Sequence, residues 1–182
     1  MLLFKKIFFC AGLLLSLNCM AQPDKVYASL EEALLYPEKV YRLELRYNRL
    51  TQLPETIGRF INLVKLDLRG NLLTTLPESI GMLRNLEVLD LSGNKLTSLP
   101  ASFVMMRKAK EINLSFNQLT ELPDDFGLLS QLEILNLTNN RLILLPPSFT
   151  KLNHLLIFEK SRNPKLVLTE EIKTFLRDKQ LD

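Results

Sequence analysis

Two residue types recur along this chain with one shared period of 23 residues. Asparagine fills the same position in successive segments, namely Asn48, Asn71, Asn94, Asn117, Asn140 and Asn163. Proline repeats at the same interval, as Pro54, Pro77, Pro100, Pro123 and Pro146. A period of about 20 to 50 residues is typical of stacked repeats, in which each unit buries its apolar face only against its neighbours. This period constrains the possible folds more than any single motif does.

Leucines complete the repeating unit around the asparagines and the prolines. The unit that starts at Leu63 continues through Leu66, Leu68, Asn71, Leu73, Leu76, Pro77, Ile80, Gly81 and Leu83, and the units from Val40, Leu86 and Leu132 keep the same order. Apolar and polar residues alternate in Leu66-Asp67-Leu68, which predicts a strand with one buried face in each unit. The asparagine amide both donates and accepts hydrogen bonds, so stacked copies can satisfy buried backbone groups of adjacent units.

The pattern LxxLxLxxNxLxxLPxxIGxLxxL, over about residues 40–166, resembles the leucine-rich repeat family. It is similar to the 23-residue class of Ras-suppressor-like and plant-intracellular-like proteins, which is also found in exported bacterial proteins. The resemblance implies an α/β solenoid, wound as a right-handed superhelix, with five full repeats and one degenerate repeat. A parallel sheet would form its concave face, and short helical or 3₁₀ segments its convex face. The resemblance also implies an asparagine ladder and a binding function, but it does not specify the ligand.

Proline and glycine predict the geometry of the convex half of each repeat. Proline fixes φ near the helical value, so the repeat proline suits the first residue of a short helical turn. Gly58, Gly81 and Gly127 are expected to end that turn. The pattern fails at repeat four, where Val104 replaces the glycine and Ala109 replaces the leucine. Either the packing is loose there, or this part of the convex face is a distinct contact site.

Both ends of the stack carry segments that can cover its apolar core. Residues 22–39 are predicted to form an N-terminal cap, because Ser29 and Glu32 have the spacing of a helix capping box. The sixth repeat degenerates at Lys160, which stands where a buried leucine is expected and indicates that the sheet ends nearby. Residues 167–182 are predicted to form a C-terminal capping helix. Its apolar residues follow helical spacing: Ile172, Phe175 and Leu176.

The N-terminal segment has the features of a secretory signal peptide. Two lysines precede an apolar run from Ile7 to Leu17, and small residues follow up to Ala21. The run is about 11 residues long, whereas a membrane span needs about 20. We expect residues 1–21 to be removed after Ala21, and the protein to reach the periplasm, the cell surface or the medium. A bacterial lipoprotein anchored through Cys19 and an uncleaved anchor are the alternatives.

Cysteine content and charge exclude several functional classes. Cys10 and Cys19 both lie in the predicted signal peptide, so the mature fold cannot depend on disulfide bonds. Loss of Lys5 and Lys6 with that peptide would change the formal net charge from +3 to +1. A nearly neutral chain gives no bulk electrostatic reason to bind nucleic acid or an anionic membrane.

The inventory of reactive side chains argues against an enzyme. His154 is the only histidine, so a mature chain without cysteine has neither a Cys–His pair nor an ordinary zinc site. Adjacent carboxylates occur at Asp124-Asp125 and Glu170-Glu171. Both pairs fall at predicted helix starts, where capping explains them better than acid–base catalysis or calcium binding. We therefore expect no catalytic residues, no metal and no cofactor.

Strand residues that alternate with the leucines should form the concave face. Its candidate binding residues are Arg42, Glu44, Arg46, Lys65, Asp67, Arg69, Asp90 and Phe116. Charged residues dominate its N-terminal half, and Ser, Thr and Ile its C-terminal half. The alternating charges admit two interpretations: cross-strand pairs that keep an exposed sheet soluble, or a groove for a ligand with a charged end and an apolar end.

Together these features predict a non-catalytic module of an exported bacterial protein, which binds a protein or peptide as a monomer. A lipid-anchored or envelope-associated structural or adhesion protein is the alternative, and an intracellular signalling scaffold agrees less well with the N-terminus. Six strands about 4.8 Å apart, each exposing about 13 Å, give a flat footprint of roughly 350 to 400 Å². A standard interface needs about 800 Å² from each partner. A peptide ligand, or help from outside the sheet, is therefore expected.

Overall fold

The computed structural model describes residues 24–181, which form one seven-stranded parallel sheet in sequence order. The predicted signal peptide lies outside the described residues. The strands are β1 (Val26–Tyr27), β2 (Arg42–Glu44), β3 (Lys65–Asp67), β4 (Val88–Asp90), β5 (Glu111–Asn113), β6 (Ile134–Asn136) and β7 (Ile157–Glu159). From β2 onward, each strand pairs with the next at an offset of 23 residues. The predicted α/β solenoid is confirmed.

The core is a stack of leucine and phenylalanine side chains between the sheet and the convex turns. The middle residue of each three-residue strand is buried: Leu43, Leu66, Leu89, Ile112, Leu135 and Phe158. Phe103 and Phe126 stack from neighbouring coils, with ring centroids 6.4 Å apart. Because each coil buries its apolar side chains only against adjacent coils, stability resides in the junctions between coils.

The asparagines connect each coil to the coil before it. The Oδ1 atom accepts a hydrogen bond from the backbone N–H of a leucine in the preceding coil, at 3.0 to 3.1 Å, as Asn117 does from Leu96. The Nδ2 group donates to a carbonyl of the preceding coil and to one of its own coil, as Asn117 does to Leu91 and Leu114. The first member, Asn48, is exposed, and its side chain makes no hydrogen bond within residues 24–181.

Short 3₁₀ turns form the convex face, as predicted. They span Pro37–Lys39, Glu55–Arg59, Glu78–Met82, Ala101–Met105, Phe126–Leu128 and Pro147–Lys151. Four repeat prolines, including Pro54, precede their turns with extended ψ angles instead of occupying the first helical position. The proline carbonyl begins the turn because it accepts a hydrogen bond from the backbone N–H three residues later, as Pro54 does from Ile57 at 3.0 Å.

The repeat glycines allow adjacent coils to approach closely; they do not end the turns. Gly58 and Gly81 lie inside their 3₁₀ turns. A Cβ atom on Gly58 would lie 2.9 Å from the Cβ of Ser79, and one on Gly81 would collide with the carbonyl oxygen of Ser102. The same turns are linked by Glu78, whose Oε2 accepts from the backbone N–H of Ser102 at 3.2 Å. The sequence prediction missed this role because the relevant contact joins two different repeats.

The irregularity at repeat four is a looser junction between two convex turns. Val104 and Ala109 are both buried, so neither side chain forms an external contact surface. Val104 carries a side chain at the position where three other repeats use glycine for close contact between coils. Ala101 lacks the carboxylate with which Glu78, its equivalent in the preceding repeat, bonds to the next coil. A cavity of about 310 Å³ opens at this junction, beside Ala101 and Asp125. These features favour loose packing as the meaning of the irregularity.

The two ends are capped differently. The N-terminal segment contains helix α1 (Leu30–Ala33), with Ser29 as its cap, but it also contributes strand β1, which the sequence did not predict. Tyr27 of β1 pairs in register with Leu43 and is buried. At the other end, Ile172 of helix α2 (Glu170–Asp178) is buried against the last coil.

We predict that Asn117→Ala lowers the free energy of unfolding by about 2 to 4 kcal/mol, because it leaves several buried backbone groups without partners. The matched substitution Asn48→Ala should change it by less than about 0.5 kcal/mol, since that side chain bonds to no other coil. Urea denaturation followed by circular dichroism measures both changes. Equal losses for the two variants would contradict a stabilising role for the interior asparagines.

Candidate functional site

The concave face consists of three columns of outward side chains. The leading column, from the first residue of each strand, contains Val26, Arg42, Lys65, Val88, Glu111, Ile134 and Ile157. The middle column, two residues later, contains Glu44, Asp67, Asp90, Asn113, Asn136 and Glu159. The third column, two residues further on, contains Arg46, Arg69, Ser92, Ser115, Thr138 and Ser161. The predicted binding residues occupy all three columns, and Phe116 lies one position beyond the third.

The middle column mainly supports the backbone where the chain leaves each strand. Asp67 Oδ1 accepts from the backbone N–H of Arg69 at 3.1 Å, and Asp90 Oδ1 accepts from that of Ser92 at 2.9 Å. Asn113 and Asn136 make the equivalent bond in the following coils. Such local turns are a common use of Asp and Asn side chains. Asp67 is also buried, so its carboxylate is poorly placed to meet a ligand.

Two arginines of the third column are already paired with these carboxylates. Arg69 Nη2 lies 3.0 Å from Asp67 Oδ2, and Nη1 lies 3.9 Å from Asp90 Oδ2. The Asp67 carboxylate therefore raises the pKa of the Arg69 guanidinium. Arg46 pairs with Glu44, which lies two positions earlier in the same coil. This part of the candidate site fits the interpretation of charges that balance one another on an exposed sheet.

Arg42 and Lys65 differ from the other cations of this face. They are register partners on the adjacent strands β2 and β3, so two like charges lie side by side. Neither side chain has an ion pair or hydrogen bond with any other residue between 24 and 181. Adjacent like charges on a sheet are destabilising. The leading column thus holds a positive region that the described residues leave unbalanced.

The leading column changes character toward the C-terminal end of the sheet. Val88 and Ile134 are half-buried, and the side chain of Ile157 is 47% exposed. In this column, Glu111 is the single charged residue between Val88 and Ile157. The column therefore offers a cationic region, then a mainly apolar one, to a ligand lying across the strands.

Aromatic side chains border this face at backbone positions that normally favour glycine or asparagine. Tyr47 and Phe116 have φ angles of 57° and 55°, and their equivalents in the intervening coils are Gly70 and Gly93. Both aromatic residues are exposed, at 68% and 50%. The Tyr47 ring lies over Gly70, where a Cβ atom would collide with it. A left-handed φ costs an ordinary residue about 1 to 2 kcal/mol. Because both rings are exposed, packing in the core does not compensate for this cost.

Between residues 24 and 181, no group of three His, Cys, Asp or Glu side chains is placed to hold a metal ion. His154 is exposed at a turn, where its Nδ1 lies 2.8 Å from the carbonyl oxygen of Ser130. In the same range, no helix has the length and hydrophobicity needed to cross a bilayer.

Comparison with known proteins identifies the repeat. A family model described as leucine rich repeat matches residues 38–96, 61–119 and 84–142, which together cover more than half of the chain. A search of the curated proteins found no match. Among solved structures, the chain is similar to a leucine-rich repeat protein of Leptospira interrogans. That match has 24% identity and a TM-score of 0.55, and covers 84% of this chain and 56% of the other.

Two further structures show the same similarity over the repeats. The functional domain of InlJ from Listeria monocytogenes has 27% identity and a TM-score of 0.60, over 68% of this chain and 25% of that one. The plant peptide hormone receptor RGFR1, in complex with RGF2, has 25% identity and a TM-score of 0.63, over 73% of this chain and 24% of that one. The chain thus spans between about a quarter and about half of the length of these relatives.

We predict that Phe116→Asn raises the free energy of unfolding by about 0.5 to 1 kcal/mol, because asparagine tolerates a left-handed φ better than phenylalanine does. Asn139 already occupies the equivalent position, with a φ of 57°. The reverse substitution Asn139→Phe is the matched control and should destabilise by a similar amount. A lower unfolding midpoint in urea for Phe116→Asn would show that the ring makes a stabilising contact.

Proposed function

Because the chain belongs to the leucine-rich repeat family, we propose that it is a non-catalytic module that binds a protein or peptide through its concave face. The observation that carries this proposal is the unbalanced cationic pair of Arg42 and Lys65 on adjacent strands. A ligand carboxylate placed between these side chains would remove their mutual repulsion and form charge-assisted hydrogen bonds with both. The same two residues were among the candidates predicted from the sequence.

The preferred ligand is an extended segment with an acidic group at one end and apolar side chains toward the other. The acidic group would contact Arg42 and Lys65, while the apolar side chains would reach Ile134 and Ile157 along the same column. Tyr47 and Phe116 lie beyond the third column, so they would add apolar area only for a ligand that also extends across the middle and third columns. The similarity in fold to the plant peptide hormone receptor RGFR1, whose structure contains RGF2, supports a peptide as the ligand.

The proposal assigns less weight to the other charged candidates. Arg46 and Arg69 would have to exchange an existing carboxylate partner for a ligand, so their net contribution to affinity would be small. Asp67 and Asp90 would keep the hydrogen bonds that they accept from backbone N–H groups. Specificity would therefore come mainly from the leading column.

We expect the double variant Arg42→Glu/Lys65→Glu to bind an acidic peptide ligand at least about tenfold more weakly, since two charge-assisted contacts become repulsive. Peptides would be selected from a displayed random library on the full chain, synthesised, and measured by isothermal titration calorimetry. The control variant Arg141→Glu/Lys165→Glu makes the same change of charge at two exposed residues away from the leading column. Similar affinities for both variants would place the binding site elsewhere, and amidation of the peptide carboxylates should reduce the difference between them.

We also propose that the module is exported by a bacterium and that residues 1–21 are its signal peptide. The proposal rests on the two lysines, the short apolar run and the small residues up to Ala21. Intact mass spectrometry of protein recovered from a bacterial expression host should find a chain that begins at Gln22. A diacylated chain that begins at Cys19 would instead support the lipid-anchored envelope protein.

A further inference from the structure

Three successive turns of the convex face each present an apolar side chain to solvent. Met82, Met105 and Leu128, here called the convex stripe, are 60%, 45% and 37% exposed. They occupy the same position of three adjacent repeats, so they form a line that runs along the solenoid axis. Before and after the stripe, the same position holds Arg59 and Lys151.

Folding does not require apolar residues at this position. The Sδ atom of Met82 covers Gly58 of the preceding coil, 2.9 Å from where a Cβ atom would lie. The Cβ of Lys151 covers Gly127 in the same way, at 3.0 Å. The aliphatic stem of a charged residue therefore satisfies this packing requirement. The exposed ends of the stripe side chains need another explanation.

Two shallow cavities adjoin the stripe and meet at Arg84. One, of about 430 Å³, is lined by Gly58, Ile61, Met82, Arg84 and Asn85. The other, of about 370 Å³, is lined by Arg84, Met105, Arg107 and Lys108. Because they share a residue and follow neighbouring coils, they form one groove beside the stripe. Ile61, Met82 and Met105 supply its apolar lining.

The groove is also lined by basic residues, and their charge is not balanced within the described residues. Arg84, Arg107 and Lys108 form no ion pair with a carboxylate between residues 24 and 181. Lys108 Nζ instead donates to the amide oxygen of Asn85, at 2.8 Å. On the opposite side of the turns, Glu78 is committed to the backbone N–H of Ser102. The groove thus lacks a matching acid of its own.

We propose that the convex stripe docks an acidic amphipathic helix of a partner protein. Adjacent coils are about 4.8 Å apart at the sheet, and an α-helix rises 5.4 Å per turn, so the two spacings are similar. Successive turns of a helix laid along the stripe would therefore contact successive coils. Apolar residues at i, i+3 or i+4, and i+7 would meet Met82, Met105 and Leu128, and acidic residues on one flank would meet Arg84 and Arg107. Exposed methionines suit such a surface because they adapt to different apolar shapes.

The charges at the two ends of the stripe disfavour a second copy of this chain as the occupant. In a two-fold dimer, the stripe would pack against its own equivalent. Arg59 would then face either Arg59 or Lys151 of the other copy, and both arrangements place cations together. An acidic helix meets cations at both ends and along one side. Charge complementarity therefore selects a partner of opposite charge.

Methyl NMR of the full chain, labelled with ¹³C-methyl methionine, tests this proposal. The probe is a synthetic 18-residue helix with Leu on one face and Glu on the flanks, and its control carries Lys in place of Glu. The acidic peptide should shift the methyl signals of Met82 and Met105 and leave that of the buried Met106 unchanged. It should bind at least about tenfold more tightly than the basic peptide. Equal affinities, or shifts that spare Met82 and Met105, would overturn the proposal.

Two double variants separate the apolar from the electrostatic contribution. Met82→Gln/Met105→Gln, which removes the apolar ends of both side chains without adding charge, should lower the affinity at least about tenfold without unfolding the chain. Arg84→Glu/Arg107→Glu should reverse the preference between the two peptides. The concave variant Arg42→Glu/Lys65→Glu should not change the affinity for the acidic helix. The two proposed binding surfaces are therefore tested independently of each other. Unchanged affinity in the methionine variant, or dimers in sedimentation that this variant abolishes, would exclude the acidic helix as occupant.

Discussion

The hydrogen bonds from each asparagine to the preceding coil are the interaction on which the structure depends. A parallel stack of short strands leaves backbone groups inside every turn, where water does not reach them. One amide side chain per coil satisfies an N–H and a carbonyl of the coil before it, as Asn94 does for Leu73 and Leu68. The stack is therefore directional: each coil is completed by the next one. The exposed Asn48 at the start is the expected consequence, because no earlier coil with a full repeat pattern exists among the described residues.

The same period explains why much of the fold could be predicted and why some of it could not. Strands, buried leucines and 3₁₀ turns depend on the pattern within one repeat, and the C-terminal helix depends on the helical spacing of Ile172, Phe175 and Leu176; the sequence displays both directly. The role of Gly81 depends on Ser102 in the next coil, and the loose junction depends on Ala101 and Val104 together. Strand β1 is only two residues long and has no asparagine, so the repeat pattern could not reveal it. Unlike the asparagine ladder, these contacts between repeats do not recur at every period, so they have no periodic signature in the sequence.

The candidate site shows a similar division. Register alone placed the charged residues correctly on one face, but it could not tell which charges already have partners. Asp67 accepts hydrogen bonds from both the backbone N–H and the side chain of Arg69, because an aspartate side chain can reach a residue two positions ahead. No carboxylate lies in the equivalent place for Arg42 and Lys65. The distinction between satisfied and unsatisfied charge depends on side-chain geometry, and it changes which of the predicted residues matter for binding.

The small size of the solenoid makes the use of two faces physically reasonable. The six three-residue strands β2 to β7 expose roughly 350 to 400 Å² of flat area, less than the about 800 Å² that each partner contributes to a standard interface. A ligand on the leading column alone would therefore bind modestly unless loops or aromatic residues such as Phe116 add area. The convex stripe lies on the other side of the core, so a helix there would not compete with that ligand. Because the coils between the two faces are packed through the same buried leucines, both partners would stabilise the same folded state.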